Sequence, residues 1–578
     1  MVFQALGPYA QGFSASESSF LYFYADPAGE GPHPIEKYNR GEFWDLATRA
    51  AHFLGQQGLG WGDAQIHGFG RNHPLDLIWR LAAAFVGTVP VTVNWQADDP
   101  ATVLYKIRLT GGKLFIKDTA FDAVFSKEIA SSLPALSIVQ ADQPLRETSG
   151  GVNPFGAGSH IEKSDAKIIV FTSGTTGKPK GVRLSYLAYE TNAASFEQFL
   201  TLQPEEKVAL VVVNPLHHAN ATAITDWGMR RGNAEIHLFE KYSRHFWPQL
   251  LKIASGDVDR VVVPLVSRHF DFLANLLLEQ PDFLDCDLLR RLGRKIEFLL
   301  GSAPVGPTTV RRILSLAGVL PRVRFGSTET CLQVMGTPSR DHADLVFQAF
   351  RRGWDAQSSP MEGYYLGRPH PPFTQVQIVR ATEAGVAGFM ESCLEGECGY
   401  LVTRGANLMM DYVGQARESQ NVMVDGWYTG LRDKGYWLQN PYDGNRDYYW
   451  VGRDSNLLIR GGANYANTAL AEELGRFVCE AFHLEREAFE IAVVGVRLNS
   501  EHEDSCCVVL ELQSPQARAL ASQFEREFMQ RAAAWVSKAA RPDRLLLAPI
   551  PRNFKGAVQT PALKELFQAG KGISPSGT

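Results

Sequence analysis

Across its 578 residues the chain has little that would mark it for a special environment: only seven cysteines, no long apolar run, no repeat period and no basic excess. Each absence excludes something. Cys286, Cys331, Cys393, Cys398, Cys479, Cys506 and Cys507 are sparse, odd in number and without paired metal-ligand spacing. A disulfide framework or zinc site is therefore not expected, and a reducing compartment, the cytoplasm, is the default. No stretch of about 18 apolar residues could span a bilayer, and Met1 to Pro8 has neither the basic start nor the apolar run of a secretory leader, so neither feature is expected. A formal net charge of −5 argues against nucleic acid or an anionic membrane as partner. What remains, 45% hydrophobic and 21% charged residues, describes an ordinary globular protein long enough for roughly two to four structural units.

The organisation follows from periodicity. Between about residues 160 and 330, short apolar runs (207–213, 260–266, 296–300) alternate with amphipathic stretches (246–254, 270–278, 310–317), the pattern of a parallel sheet covered by helices. After about residue 363, Gly/Pro turns punctuate short strand-like runs such as 375–379 and 399–403, which suggests a β-rich subdomain of about 363–453. Beyond Gly452-Arg453 the order helix (468–477), strand (491–496), strand (505–512), helix (517–534) implies a small α+β unit. The expected fold class is α/β: a large N-terminal domain of helix-covered sheets with its β-rich subdomain, residues 1–453, and a small mobile α+β C-terminal domain, residues 454–578.

The most informative local signal is Phe171-Thr172-Ser173-Gly174-Thr175-Thr176-Gly177-Lys178-Pro179-Lys180-Gly181, which reads as a phosphate loop. The β-branched run 167–171 precedes it and helical spacing begins at Ser185, so the loop is expected to join a strand to a helix. Glycines let backbone N–H groups converge on a polyphosphate; the hydroxyls of Thr172, Ser173, Thr175 and Thr176 add donors, and Lys178 and Lys180 add charge. It is not a Walker loop. Only Thr175 and Thr176 separate Gly174 from Gly177, and Pro179 stands where that loop needs a magnesium-binding hydroxyl.

Several further segments, in order, resemble those of the adenylate-forming superfamily of acyl-CoA synthetases, luciferase and peptide-synthetase adenylation domains. Asn214-Pro215-Leu216-His217-His218 resembles its Pro-x-x-His segment, and Leu300-Gly301-Ser302-Ala303-Pro304 its adenine-binding turn. Arg324-Phe325-Gly326-Ser327-Thr328-Glu329-Thr330 resembles the segment that supplies an aromatic face for the base, a hydroxyl (Thr328) for the α-phosphate and a carboxylate for Mg²⁺. The resemblance implies an adenine site of Gly301, Ser302, Ala303, Arg324, Phe325, Gly326 and Ser327. It implies Mg²⁺ on Glu329, a hard oxygen ligand suited to an ion shared with phosphates. His218, Gly301 and Cys331 would border the acyl group.

Asp425-Gly426-Trp427-Tyr428-Thr429-Gly430 resembles a segment in which aspartate follows directly, but here Leu431-Arg432 intervene before Asp433. Aligned on Lys434-Gly435-Tyr436, Asp433 takes the ribose hydroxyls, and Arg453 of Val451-Gly452-Arg453 contacts ribose or phosphate. The family hinge falls at Ser455, and Arg460, Gly461 and Gly462 correspond to the CoA channel, although Ala469 occupies the usual glutamate position. The largest departure is Asn553-Phe554-Lys555-Gly556-Ala557, where the family commonly has Gly-Lys and Ala557 stands in the place of the lysine. Either Lys555 reaches the site from before the glycine, or the lysine has been lost; losing one preorganised donor typically costs about 10²- to 10³-fold in rate.

The resemblance implies a ligase that adenylates a small carboxylic acid with ATP and Mg²⁺, releases pyrophosphate, and passes the acyl group to CoA. An acyl-AMP ligase acting on an amine or a separate carrier protein is the alternative within the class. A nucleotide- or acyl-binding pseudoenzyme is the alternative outside it.

Overall fold

The structure, a computed structural model, describes residues 7, 9, 19–26, 34–96, 98–121, 123–147, 161–172, 179–339, 342–355, 359–453, 457–460, 463–496, 498, 504–553 and 556–569. Contacts divide the chain into two units. One comprises Met1–Phe347, Leu366–Val376 and Val402–Gly430; the other comprises Gln348–Tyr365, Gln377–Leu401 and Leu431–Thr578. The α/β class expected from the sequence is what the chain adopts. None of the described helices is long and apolar enough to cross a membrane.

The first unit is built on two sheets. In one, the strand order is Asp411–Tyr412, Lys180–Ser185, Ala166–Thr172, Val89–Thr92, Ala64–Gly68, Leu114–Lys117, Ser137–Gln140. From Ala166–Thr172 onward these strands are parallel, while Lys180–Ser185 pairs antiparallel with both of its neighbours. The other sheet has a parallel core of Arg322–Phe325, Ile296–Leu300, Arg260–Leu265, Val208–Val212, Ala234–Phe239 and Ser19–Tyr24. Val208–Val212 is buried along its whole length, as a strand covered on both faces must be. One apolar cluster joins the two sheets: Ile116 of the first and Leu210 and Ile236 of the second share it with Trp79, Phe196 and Trp227 from the helices Pro74–Val86, Tyr186–Leu200 and Ala219–Arg230.

One expectation is corrected. The phosphate loop does not run from a strand into a helix; it connects two antiparallel strands, with Thr172 opposite Lys180 and Phe171 opposite Gly181. The helical spacing after Ser185 is real, and the helix Tyr186–Leu200 begins there, capped by the Ser185 hydroxyl accepting from the Ala188 N–H at 3.1 Å. Before it, Val182 and Leu184 are buried on alternate positions of a strand that six residues of loop-like composition concealed. Gly181 packs closely in that strand: a Cβ there would lie 3.1 Å from the Phe171 ring, which would have to give by a few tenths of an ångström. The helix Tyr186–Leu200 begins after the second strand and not at the end of the loop.

The second unit contains the antiparallel pair Asp433–Gln439 and Arg446–Arg453, and a sheet of Phe489–Val496, Ser505–Leu512 and Arg544–Leu547. That sheet is covered on both faces. Val493, Val508 and Leu510 pack with Phe477, Phe524 and Phe528 of the helices Asn467–Phe482 and Ala521–Trp535, whereas Val494, Cys507 and Val509 pack with Leu563 and Phe567 of Thr560–Gln568. The period of two sorts neighbouring residues onto opposite cores. The helix, strand, strand, helix order read from the sequence is present, and the strand Arg544–Leu547 and the last helix are additions to it.

Asn72 fastens the two sheets of the first unit near the histidine segment. Its amide donates to the carbonyls of Asn214 (3.1 Å) and Phe239 (3.0 Å) and accepts from the Leu216 N–H (2.8 Å), with Asn72 1% exposed. Arg80 Nη2 also donates to the Leu216 carbonyl, at 2.8 Å. Replacing Asn72 with alanine leaves three buried backbone groups without that partner, so Asn72→Ala is expected to cost about 2–4 kcal/mol, read as a lowered midpoint of thermal unfolding.

Candidate functional site

The antiparallel edge gathers one group of site residues. Thr172 ends its strand half-buried, directly across from Lys180. Ser173, Gly174, Thr175, Thr176, Gly177 and Lys178 lie outside the described residues. Lys180 forms an ion pair with Glu418, and its ammonium stands 5.0 Å over the ring of Tyr412. Tyr412 in turn donates its hydroxyl to Glu329 Oε1 at 3.0 Å and lies 3.1 Å from the hydroxyl of Tyr428. Burial, and after it the Glu329 carboxylate, push the Tyr412 hydroxyl well above its ordinary range, so it stays protonated and remains a donor. The root of the loop and the expected metal ligand are thus joined by one tyrosine. Sequence reasoning missed Tyr412 and Glu418, and no spacing signal could have paired Tyr412 with a residue 83 positions away.

Glu329 is positioned by a tightly folded segment. The short 3₁₀ turn Thr328–Thr330 is followed by Cys331 at φ +47° and Leu332 at φ +87°, a left-handed pair rare for residues with side chains. The turn is held by the Cys331 N–H on the Thr328 carbonyl (3.1 Å) and the Leu332 N–H on the Ser327 carbonyl (3.1 Å). Asn407 donates to the carbonyls of Thr330 (2.8 Å) and Gln333 (3.2 Å), and the Met409 N–H donates to the Glu329 carbonyl at 2.7 Å. Among the described residues no group of three or more His, Cys, Asp or Glu could hold a metal ion. A lone carboxylate fits an ion shared with nucleotide phosphates better than a preformed protein cage.

The expected adenine turn lies at the end of Ile296–Leu300, with Gly301 and Ala303 half-buried and Ser302 exposed at φ +67°. Phe325, at the end of the adjacent strand, is half-buried. Gly326 leaves no room for a side chain, since a Cβ would lie 2.0 Å from the Leu332 carbonyl oxygen. The glycine is thus required by the chain itself. Arg324 is 5% exposed, its Nη2 donates to Asn220 Oδ1 at 3.2 Å, and its guanidinium lies 5.8 Å from the centre of the Phe196 ring. His218 occupies the N-cap position of Ala219–Arg230, and its ring lies 4.2 Å from that of His217, which packs edge-on against Trp95 at the same distance. Cys331 is buried, and burial pushes its thiol well up, making it a small apolar wall.

In the second unit, the inserted Leu431-Arg432 is absorbed in a turn, with Arg432 at φ +55°, and the strand begins at Asp433. Asp433 lies opposite Arg453 in the antiparallel register, is 2% exposed, and accepts from Trp450 Nε1 at 2.8 Å. The side chains of Arg453 and Arg460, and all of Ser455, Gly461, Gly462 and Lys555, lie outside the described residues. Ala557 is half-buried, its N–H donating to Asn553 Oδ1 at 3.0 Å and its carbonyl accepting from the Asn553 N–H at 2.9 Å. Arg552 is committed to Glu490 and to the Gly556 carbonyl (2.8 Å).

These features meet the comparisons with known proteins at one class. The profile of the AMP-binding enzyme family matches residues 26–413, and the chain belongs to that family. The curated relatives that it matches are acid–CoA ligases. The human mitochondrial medium-chain acyl-CoA ligase ACSF2 is 24% identical over 80% of this chain and 72% of its own length. The 2-succinylbenzoate–CoA ligase of Enterococcus faecalis is 26% identical over 53% of each chain. Among solved structures, ATP-bound MatB from Rhodopseudomonas palustris superposes with a TM-score of 0.74, at 18% identity and covering 98% of this chain and 99% of that one. MenE from Bacillus subtilis with ATP and magnesium ion gives 0.72, at 20% identity over 97% and 99%.

The packing at the two glycines gives a graded expectation. Gly326→Ala forces a methyl against backbone and is expected to lower the unfolding temperature sharply or abolish soluble protein. Gly301→Ala, whose Cβ would lie 3.1 Å from the Arg324 carbonyl oxygen, calls for a shift of a few tenths of an ångström and a much smaller drop. Thermal melts of the two variants side by side check the order.

Proposed function

We propose that this protein is an ATP-dependent carboxylic acid ligase that forms an acyl-adenylate and pyrophosphate and then transfers the acyl group to CoA. The observation that supports this reading is the Lys180–Tyr412–Glu329 arrangement, in which the ring of Tyr412 lies under the Lys180 ammonium and its hydroxyl donates to the Glu329 carboxylate, a hard oxygen ligand. In this reading the phosphates of ATP lie along Thr172 to Lys180, the base meets Gly301, Ser302, Ala303 and Phe325, and Asp433 and Arg453 take the ribose. The Trp450 hydrogen bond holds the Asp433 carboxylate in one orientation for the ribose hydroxyls. Glu329 would hold Mg²⁺, which would supply neutralisation of phosphate charge.

The carboxylate of the acid attacks the α-phosphorus in line, the bond to the bridging oxygen breaks, and pyrophosphate leaves. Thr328 and His218 serve the reacting end, Thr328 as a donor to the α-phosphate. In the second step the thiolate of CoA attacks the acyl carbonyl and AMP leaves, with Arg460, Gly461 and Gly462 lining the thiol path. In this reading a small domain from residue 454, hinged at Ser455, would turn between the two steps.

A second reading rests on Ala557. A methyl cannot carry the charge that bridges carboxylate and α-phosphate, and Arg552 is already engaged by Glu490 and Gly556. Binding of ATP and acid with slow or absent turnover is therefore the alternative, and transfer to an amine or carrier protein in place of CoA is a third outcome of the same assay.

Exchange of labelled pyrophosphate into ATP, across a panel of carboxylic acids, tests both readings. The expected result is slow acid-dependent exchange that rises about 10²- to 10³-fold in Ala557→Lys, the size of one preorganised donor regained. Glu329→Gln in that background is expected to remove most of the exchange and to raise the magnesium concentration it requires. No exchange with any acid, in either the protein or Ala557→Lys, overturns the ligase reading; calorimetric ATP binding without exchange favours the binding protein.

A further inference from the structure

The buried arginines of the first unit are satisfied in different ways. Arg40 donates to the carbonyls of Arg231 (2.8 Å), Gly232 (3.2 Å) and Ala234 (2.9 Å). Arg322 reaches the carbonyls of Phe199 and Thr337 and lies 3.6 Å from Glu297, which also pairs with Arg260 at 2.6 Å. Arg230 and Lys167 share Asp226, at 2.7 and 3.0 Å. Arg324 is different. It is 5% exposed, its one hydrogen bond goes to the neutral Asn220 amide at 3.2 Å, and its Nε and Nη1 are buried with no acceptor. No carboxylate among the described residues pairs with it, and burial alone pushes its guanidinium down to about 9, so it still carries its charge at neutral pH.

Where that charge sits gives it a purpose. Arg324 and Arg322 are two apart on one strand and so share a face, and the Arg324 Cβ lies 4.0 Å from where a Gly301 side chain would begin. Asn220, its partner, is in the first turn of Ala219–Arg230, two residues beyond His218. The guanidinium is therefore among the residues that the ligase reading sets around the acid. A purely hydrocarbon acid would leave the Nε and Nη1 donors without an acceptor and the charge facing only the Phe196 ring, 5.8 Å away, whereas an anionic oxygen answers both. A neutral acceptor would satisfy the N–H groups and leave the charge unbalanced.

We propose that Arg324 receives a second carboxylate of the substrate, so that the acid activated by this protein is a dicarboxylic acid held at its far end by Arg324 and Asn220. The assignment rests on the ligase reading for the location of the acid. It goes beyond that reading in naming the chemical class, and it replaces the adenine contact expected for Arg324 from the sequence.

The test is calorimetric binding, in the presence of Mg²⁺ and a non-hydrolysable ATP analogue, of acids paired by carbon skeleton: butyrate with succinate, hexanoate with adipate, benzoate with terephthalate. At least one diacid is expected to bind about 10-fold or more tightly than its monoacid partner. That ratio should collapse towards one in Arg324→Met, which keeps the volume and loses the charge, and survive in part in Arg324→Lys. Monoacids binding as well as or better than diacids, no binding by any diacid, or a diacid preference unchanged in Arg324→Met each overturns the proposal. If Arg324→Met does not fold, the ratio in the unmodified protein decides alone. Binding of the ATP analogue is recorded in the same titrations: its failure strikes the ligase reading, and its success without diacid preference strikes only the role of Arg324.

Discussion

Two ladders of backbone hydrogen bonds on the strand Lys180–Ser185, one to Ala166–Thr172 and one to Asp411–Tyr412, set the geometry on which the rest of the site depends. The first brings the ends of the phosphate loop to adjacent strands. The second carries Tyr412 to the same edge, with the Val413 N–H on the Gly181 carbonyl at 2.8 Å and the Met410 N–H on the Arg183 carbonyl at 2.9 Å. Because Tyr412 is fixed by this pairing, its hydroxyl can hold one oxygen of Glu329 while its ring lies under the Lys180 ammonium. A parallel strand in this place would need a long crossover connection; an antiparallel edge needs only the loop itself. The loop is therefore short because the pairing is antiparallel.

Charge inside the first unit is arranged with little slack. Glu297 answers Arg260 and Arg322, and Asp226 answers Arg230 and Lys167, each carboxylate shared between two cations. Burial makes each of these shared carboxylates costly to remove. Against that pattern a guanidinium with one neutral partner stands out, and its place beside the histidine segment turns an electrostatic oddity into a statement about ligand chemistry. Asn72 and Arg80, by holding the backbone of residues 214–216, fix the other wall of the same region.

The second unit shows the opposite situation at Ala557. The turn there is well made: Gly556 adopts φ +79°, the Gly556 N–H reaches the Asn553 carbonyl at 2.8 Å, and Asn553 closes on Ala557 from both its backbone and its side chain. At position 557 the side chain is a methyl, and Lys555 lies outside the described residues. A methyl at position 557 keeps the turn and carries no charge, so shape and charge are separate requirements there.

Much of this was legible in the sequence, and the boundary of legibility has a physical cause. Local periodicity marked the strands 208–212 and 296–300 and the helices 246–254 and 307–317, because burial on both faces or on one stripe leaves a pattern within a few residues. Motif order marked Glu329, Asp433 and His218 as residues of interest. The strand Lys180–Ser185 was hidden because Lys180 and Gly181 beside a loop read as more loop, and only pairing with Ala166–Thr172 makes them part of a strand. Tyr412, Glu418, Trp450 and the isolation of Arg324 were decided by tertiary structure alone. Each depends on which distant side chain arrives opposite which, or fails to arrive, and a hydrogen bond or an unanswered charge between residues far apart in the chain leaves no trace in the spacing of either.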